Sequence, residues 1–331
     1  ATALSAPSAA QFRKAQSNKN QERREDMLRT SPCTRRQFLS RSAAAAAAGL
    51  LVARVPAPAG EPPLPYFEQR GWLVGCWTRP WAAFDYRVGM DAMAEAGFKH
   101  IALTGAKTRT RRVIAAETTL EEAAEVGQEA QRRGLTITNV YGGGVSLEKG
   151  PAGLRKLIDN CQAARAQSVL LSGIGNERTY EACCRTVAEC CDYAAEKRIA
   201  VVLKPHGGMT GTGPQIRDAA NRIDRANFTV MYDPGNIYFY SQGRVDPVED
   251  VKAVAGLVTG VSVKDYLPPN NVALTPGTGK VDFPALFAEL RRGGLEGGPL
   301  MIEMVKPGDP AQTLEEVKKA RQFVEQLVGV A

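Results

Sequence analysis

The feature that most constrains the fold is an alternation, repeated eight times, of a short apolar run with a longer segment whose apolar residues recur every three or four positions. Such runs are typical of buried strands, and the longer segments are typical of amphipathic helices. Strands are predicted at 72–77, 99–103, 135–140, 168–173, 199–204, 228–233, 258–265 and 299–303, and helices at 85–97, 118–134, 151–166, 177–197, 214–223, 246–255, 283–292 and 313–328. Eight units in about 265 residues match a (β/α)8 barrel of about 250 residues better than an open sheet. The sequence therefore predicts an α/β fold, a TIM barrel over residues 70–331.

The charge of the chain is concentrated before the barrel. Residues 1–59 contain 10 Lys and Arg against 3 Asp and Glu, and this surplus of seven equals that of the whole chain, 42 against 35. The remaining residues are therefore neutral overall. A neutral domain lacks the basic surface that nucleic-acid binding requires, so no nucleic-acid partner is expected.

The N-terminal segment has the pattern of a targeting signal. Thr34-Arg35-Arg36-Gln37-Phe38-Leu39 precedes a short apolar run at 43–51 and then the small residues Ala57-Pro58-Ala59. This resembles a bacterial twin-arginine export signal. The apolar run is shorter than the roughly 20 residues of a spanning helix, so no stable membrane span is predicted. We expect that the twin-arginine machinery exports the protein to the periplasm and that residues 1–59 are removed. Met27 is a candidate for the true start, and residues 60–69 are interpreted as a proline-rich linker.

The cysteines are predicted to be small core residues. The pairs at 183/184 and 190/191 recur at seven residues on one helical face, about 10 Å apart at a rise of 1.5 Å per residue. That spacing is too wide for a single tetrahedral zinc ion.

Candidate catalytic residues follow the carboxyl ends of strands five to eight, where the active site of such a barrel lies. Lys204 and His206 end strand five, Asp233 ends strand six, Lys264 ends strand seven and Glu303 ends strand eight. Because side chains alternate along a strand, Val202 and Lys204 share one face, as do Met231 with Asp233 and Met301 with Glu303. Acids and bases crowded in one cavity suit metal binding or proton transfer next to a carbonyl. A salt-bridge network without catalytic function is the alternative.

Three further residues are candidates for sugar binding. Trp77, in Cys76-Trp77-Thr78-Arg79-Pro80-Trp81, ends strand one, and its indole ring could stack on a sugar or pack in the core. Asn176 and Glu177 follow strand four, where they could bind hydroxyl groups, although Glu177 could equally cap its helix.

Five motifs in this order resemble the sugar phosphate isomerase/epimerase family of xylose isomerase-like barrels: Lys204-Pro205-His206-Gly207, Asp233-Pro234-Gly235-Asn236, Val263-Lys264-Asp265, Pro276 to Phe283 and Ile302-Glu303. The resemblance covers roughly residues 70–330. It implies a carbohydrate substrate, an enediolate intermediate, and one divalent metal held by Glu, Asp, His and Glu at the ends of strands five to eight.

The sequence departs from that pattern at two ligand positions. Asp233 and Glu303 match, but Lys204 stands at the strand-five Glu position and Ser262 at the strand-seven His position. One hypothesis is a rebuilt site in which His206, Asp233 and Glu303 bind Mn, Mg, Zn or Co, assisted by Asn236 or Asp265. The other is that Lys204 stabilises an enolate or acts as a base, and that Glu303 takes or returns the proton.

These considerations predict an exported isomerase or epimerase that abstracts a proton next to a carbonyl of a sugar or keto-sugar. Lys204 and Glu303 are its predicted catalytic residues, and Trp77, Asn176, Glu177, Asn236 and Lys264 are predicted to bind substrate. A lyase acting on 3-keto-glycosides and a degenerate sugar-binding barrel are alternatives. A zinc-dependent abasic-site endonuclease is disfavoured, because the chain has only two histidines. Assembly into a homo-oligomer is left open.

Overall fold

The computed structural model describes residues 64–68, 70–145, 147–148 and 150–330, and in them eight parallel strands form a closed barrel in chain order. The strands are β1 (Trp72–Trp77), β2 (His100–Leu103), β3 (Thr136–Val145), β4 (Ser168–Ile174), β5 (Ala200–Leu203), β6 (Phe228–Tyr232), β7 (Val258–Val263) and β8 (Gly298–Ile302). Closure pairs β1 with β8, from Trp72 opposite Gly298 to Cys76 opposite Ile302. The predicted TIM barrel is confirmed.

Helices precede, connect and follow the strands, and most of them cover the outside of the barrel. They are α1 (Pro65–Glu68), α2 (Tyr86–Glu95), α3 (Leu120–Arg132), α4 (Gly150–Ala163), α5 (Tyr180–Glu196), α6 (Gly213–Ile223), α7 (Pro234–Ser241), α8 (Pro247–Asp250), α9 (Phe283–Arg292) and α10 (Pro310–Val328). Several of these helices begin at a residue whose side chain caps the first turn. Thr119 and Glu122 form a capping box at α3, and Asp309 forms one with Gln312 at α10, so unpaired amide groups of the first turn are satisfied.

Two sets of apolar residues build the core. The larger set lies between strands and helices. The smaller set includes Trp77, Val202, Met231 and Met301. These are the alternate strand residues that face the barrel interior. The residues two positions after Val202, Met231 and Met301 lie just past the ends of β5, β6 and β8, so they are directed toward the mouth.

The N-terminal end of the barrel is closed by a segment that the sequence analysis interpreted as linker. Pro65–Glu68 forms α1, and Tyr66 is 3% exposed within the interior cluster. Residues 65–68 of the predicted linker are thus helical rather than extended, and Tyr66 packs against the barrel interior. The rest of the predicted linker, 60–63 and 69, lies outside the described residues.

The cysteines lie in the core, as predicted. Cys76, Cys161, Cys183, Cys184, Cys190 and Cys191 are buried free thiols, and Cys33 lies outside the described residues. On α5 the two pairs sit on its buried face.

The β6–β7 connection differs from the prediction. The predicted helix at 246–255 is α8 followed by a 3-10 turn, Val251–Val254. Helix α7 directly after β6 was not predicted, because Pro234-Gly235 is typical of a turn.

The twin-arginine signal, the Met27 start and the first residues of the linker lie outside the described residues. Within the part that the structure describes, no helix combines the length and apolarity needed to cross a membrane.

Candidate active site

Four charged side chains from consecutive strand ends meet at the mouth of the barrel. Lys204, Asp233, Lys264 and Glu303 follow β5, β6, β7 and β8, and each is at most 2% exposed. The structure thus brings together the charged residues that strand parity had placed on one face. Burying four charges is tolerable only because they are mutually paired.

Glu303 is the most heavily paired of the four. Its Oε1 lies 2.8 Å from Lys264 Nζ and 2.8 Å from Arg79 Nη1. Its Oε2 accepts hydrogen bonds from Lys204 and, at 2.6 Å, from Ser262 Oγ. Burial alone would raise the pKa of the Glu303 carboxyl group, but the charges of Lys204, Lys264 and Arg79 outweigh burial and hold it well below its usual value. Glu303 is therefore ionised at neutral pH.

Asp233 links the lysines to the start of a helix. Its Oδ2 lies 3.1 Å from Lys204 Nζ and 3.0 Å from Lys264 Nζ. Its Oδ1 accepts a hydrogen bond of 2.9 Å from the backbone N–H of Asn236, so Asp233 is also the N-cap of α7. Asp233 thus orients both ammonium groups. Its hydrogen bond to the first turn of α7 fixes the side-chain conformation of Asp233 itself.

The two lysines differ in their electrostatic balance. For Lys204, burial would lower the pKa, but Glu303 and Asp233 outweigh it, so the pKa is raised above its ordinary value. For Lys264, burial is the dominant cause and the pKa is lowered, against the attraction of the same two carboxylates. Lys204 is therefore a permanent cation, which favours its predicted role in enolate stabilisation over that of a base.

His206 lies beside this cluster and contacts a tyrosine. Its Nδ1 is 2.8 Å from the hydroxyl oxygen of Tyr240. Burial, followed by the charges of Lys204 and Lys264, lowers the pKa of His206 to about 4. The imidazole is therefore neutral at pH 7.

The residues do not fit the divalent metal site that was hypothesised. In the described part of the chain, no three His, Cys, Asp or Glu side chains are arranged to hold a metal ion, so the predicted set His206, Asp233 and Glu303 is not assembled. The physical reason is that Lys204 and Lys264 place their ammonium groups between the two carboxylates. These groups supply the positive charge that a metal ion would otherwise bring, and an ammonium group has no lone pair to donate.

A cavity of about 250 Å³ opens above this cluster. It is lined by Trp77, Arg79, Ala82, Thr104, Gly105, Arg111, Arg112, Tyr141, Lys204, His206 and Glu303. Trp77 Nε1 and Thr104 Oγ1 are buried without a hydrogen-bond partner among the described residues. Buried polar atoms of this kind normally have partners, and both residues belong to the wall of the cavity.

A second cavity of about 510 Å³ lies beside the first and shares Arg112 with it. Its wall combines small and apolar residues, among them Gly142, Gly144, Leu154 and Leu157, with the charged residues Arg109, Arg112 and Glu117.

Comparison with known proteins identifies the family. A family model described as xylose isomerase-like TIM barrel matches residues 90–327. The chain belongs to this family. No curated protein sequence matches it.

Among solved structures, a xylose isomerase domain protein from Planctomyces limnophilus is 20% identical with a TM-score of 0.63, over 78% of this chain and 98% of that one. A D-psicose 3-epimerase is 14% identical with a TM-score of 0.61, over 77% and 99%. The 3-keto-D-glucoside 4-epimerase of E. coli is 17% identical with a TM-score of 0.57, over 76% and 99%.

Not every predicted ligand-binding residue of this xylose isomerase-like barrel reaches the cavity. Trp77 lines it, whereas Lys264 and Asn236 lie behind its wall. Asn236 accepts a hydrogen bond of 3.0 Å from Lys264 Nζ and donates one of 2.7 Å to the Pro205 carbonyl. These two residues therefore hold the cluster together rather than line the cavity.

Asn176 and Glu177 are exposed and do not line either cavity. Asn176 Oδ1 accepts hydrogen bonds from the backbone of Arg178 and Thr179. Asn176 and Glu177 thus lie outside both cavity linings, and their contact with substrate stays a prediction. The side chain of Asn176 stabilises the turn before α5.

Asp265, suggested as an assisting metal ligand, has a structural role. Its carboxylate accepts hydrogen bonds from the backbone N–H groups of Gly277, Gly279 and Val281 at 3.0, 2.8 and 3.1 Å. It therefore fixes the glycine-rich loop that precedes α9.

Three arginines and a tyrosine that line the cavity were not predicted: Arg79, Arg111, Arg112 and Tyr141. The first three lie in loops after β1 and β2, and Tyr141 lies within β3. The run Arg109-Thr110-Arg111-Arg112 after the second strand was the available signal, since the loops at that end of a barrel form the active site.

Proposed function

We propose that this protein is a sugar isomerase or epimerase that abstracts a proton next to a carbonyl group without a metal ion. The observation that carries the proposal is the contact between Lys204 and Glu303, a fixed cation and an ionised carboxylate that both line the same cavity. The relatedness of the fold to a D-psicose 3-epimerase and a 3-keto-D-glucoside 4-epimerase supports a carbohydrate substrate.

In this mechanism Lys204 stabilises the negative charge that develops on the carbonyl oxygen as the neighbouring carbon loses its proton. A preorganised cation in a water-poor site is an effective stabiliser of an enolate. Lys264 and Asp233 lie behind Lys204 and keep its ammonium group in place. The permanent positive charge of Lys204 suits this role.

Glu303 is the proposed proton acceptor and donor. Because its pKa is held well below the usual value, it is a weak base, and much of the driving force must come from enolate stabilisation by Lys204. His206 is neutral at pH 7, lines the same cavity and contacts Tyr240. It is the second group in the cavity that can move a proton.

The test is proton exchange with solvent. A panel of sugars and keto-sugars is incubated with the enzyme in deuterated water and followed by NMR. The expected result is deuterium at the carbon next to the carbonyl, in a product that has lost no part of the sugar. Lys204→Met is expected to lower the exchange rate at least about 100-fold. Lys99→Met, an exposed lysine at the opposite end of the barrel, is the matched control and retains full activity. Sugar binding without any exchange would instead identify a binding protein.

A lyase acting on 3-keto-glycosides is the second candidate. The second cavity favours it, because that cavity adjoins the first at Arg112 and offers about 510 Å³ of further space for a leaving group. The same NMR experiment with 3-keto-glycosides separates the reactions, since only the lyase releases an aglycone.

We also propose that the twin-arginine machinery exports the protein to the periplasm. The support is the segment Thr34-Arg35-Arg36-Gln37-Phe38-Leu39 with the apolar run that follows. Replacing Arg35 and Arg36 together by lysine is expected to retain the protein in the cytoplasm, as measured by cell fractionation. Unchanged periplasmic recovery would contradict it.

A further inference from the structure

We propose that the cavity selects monosaccharides that carry an anionic group, a carboxylate or a phosphate, and that Arg111 and Arg112 bind this group. The inference rests on the proposed function for the location of the sugar and adds the class of substrate. It stands on four features of the cavity: its charge, its unpaired guanidinium groups, the loop that presents them, and its size.

The charges that line the cavity do not balance. Arg79, Arg111, Arg112 and Lys204 are cationic, whereas Glu303 is the only carboxylate that the described part of the chain contributes to the lining. A cavity with a surplus of positive charge concentrates anions, and a neutral sugar would leave that surplus without a counter-charge.

The surplus is located at two guanidinium groups. Arg79 and Lys204 are both paired with Glu303, so a carboxylate of the protein already offsets part of their charge. Arg112 Nη1 donates a hydrogen bond of 2.9 Å to the Gly142 carbonyl, and its guanidinium carbon lies 5.0 Å from the centre of the Tyr141 ring. These contacts orient Arg112, and neither of them brings a carboxylate to its guanidinium group.

Arg111 is the less constrained of the two. It is exposed at the rim, and within the described ranges no hydrogen bond or ion pair engages its side chain. A guanidinium group binds the planar oxygen pair of a carboxylate, or two phosphate oxygens, through two parallel hydrogen bonds. Arg111 is thus available for the anionic group of a ligand.

The loop after β2 presents both arginines to the same cavity. Successive side chains of an extended strand point to opposite sides. Here Arg111 adopts a left-handed conformation with φ of 57°, and both side chains line the cavity. The loop is held by the bridge between Gly105 and Arg112 and by a hydrogen bond of 2.9 Å from Val113 N–H to the Thr104 carbonyl.

The size of the cavity limits the ligand. Its volume of about 250 Å³ is below the range of roughly 300–1,000 Å³ for larger organic ligands. A monosaccharide with one anionic substituent suits that volume.

The experiment is calorimetric binding of a panel of aldoses to the full chain, each offered as the neutral sugar, the uronate and the 6-phosphate. At least one anionic member is expected to bind about tenfold more tightly than its neutral counterpart, the factor for one charge-assisted hydrogen bond. Its affinity should fall as NaCl is raised from about 20 to about 200 mM. The preferred form, uronate or phosphate, identifies the anionic group.

Two arginine variants test whether Arg111 binds the anionic group of the ligand. Arg111→Gln is expected to remove about tenfold of the affinity for the anionic ligand and to leave the neutral sugar unaffected. Arg165→Gln is the matched control, because Arg165 is also exposed with φ of 57° but lies before β4, at the opposite end of the barrel. The inference is overturned if no anionic sugar binds more tightly than its neutral form, or if Arg111→Gln changes nothing.

The two proposals fail in different ways. If anionic sugars bind through Arg111 but show no deuterium exchange, the substrate class stands and the catalytic proposal fails. If neutral sugars exchange as fast as anionic ones, the catalytic proposal stands and the substrate class is wrong.

Discussion

Lys264 and Glu303 form a buried ion pair, with Nζ 2.8 Å from Oε1 and each residue 2% exposed. The same carboxylate contacts Lys204, and Asp233 contacts both lysines. The mouth of this barrel is therefore organised by two ammonium groups and two carboxylates, where the resemblance to sugar isomerases implied a metal ion and its ligands.

Asp233→Asn tests the electrostatic role of this cluster. The amide oxygen can still cap α7 through the N–H of Asn236, but two buried ammonium groups lose a counter-charge. We expect a loss of about 3–5 kcal/mol in the free energy of unfolding, measured by urea denaturation. Asp246→Asn is the matched control. Asp246 is the exposed N-cap of α8 and accepts from Val248 N–H, and asparagine caps equally well, so its effect should stay within about 0.5 kcal/mol. Equal losses in the two variants would contradict a charge-based role for Asp233.

His206 predicts a dependence of stability on pH. Its pKa is about 4 in the folded protein against 6.5 in the unfolded chain, so the unfolded state takes up the proton first as the pH falls below 6.5. His206 therefore lowers stability progressively between pH 6.5 and 4, by at most about 3 kcal/mol. Solvent near the partly buried ring reduces this figure.

His206→Gln removes that dependence while keeping a polar side chain beside Tyr240. Urea denaturation from pH 7.5 to 4.5 should show a shallower loss of stability in the variant. A residual slope remains from His100, whose pKa burial also lowers. An unchanged slope would show that the pKa of His206 is the same in the folded protein as in the unfolded chain.

Lys204→Glu combined with Ser262→His tests whether the two departures from the ligand pattern suppress metal binding. With Asp233 and Glu303, the substituted residues would provide the four donors that the resemblance implies. We expect Mn²⁺ affinity by calorimetry to increase at least about tenfold over the unsubstituted protein, a gain of about 1.4 kcal/mol. Ser262→His alone keeps Lys204 beside the carboxylates and should not show the gain. Equal affinity in all three proteins would contradict the explanation.

Much of the fold could be predicted because its signals are local. The alternation of apolar runs with helical periodicity marks each strand and helix, and strand parity after Val202, Met231 and Met301 directed Lys204, Asp233 and Glu303 to the mouth. The pairing between these side chains was not encoded locally. It depends on the barrel bringing together residues up to 99 positions apart in the chain.

Features that depend on loop paths could not be predicted. Arg111 and Arg112 reach the cavity through a left-handed turn that has no periodic signature, and Asn176 follows a strand end but folds back on its own turn. Tyr66 fills the lower end of the barrel from a proline-rich segment. In each case tertiary packing decides where the side chain lies.

The most direct test of a metal-independent, lysine-based site is the rate of deuterium incorporation into a sugar substrate before and after prolonged treatment with excess EDTA. The rate should be the same in both samples, because Lys204 provides the positive charge at the carbonyl oxygen. A rate that falls on chelation and returns on addition of Mn²⁺ would contradict it.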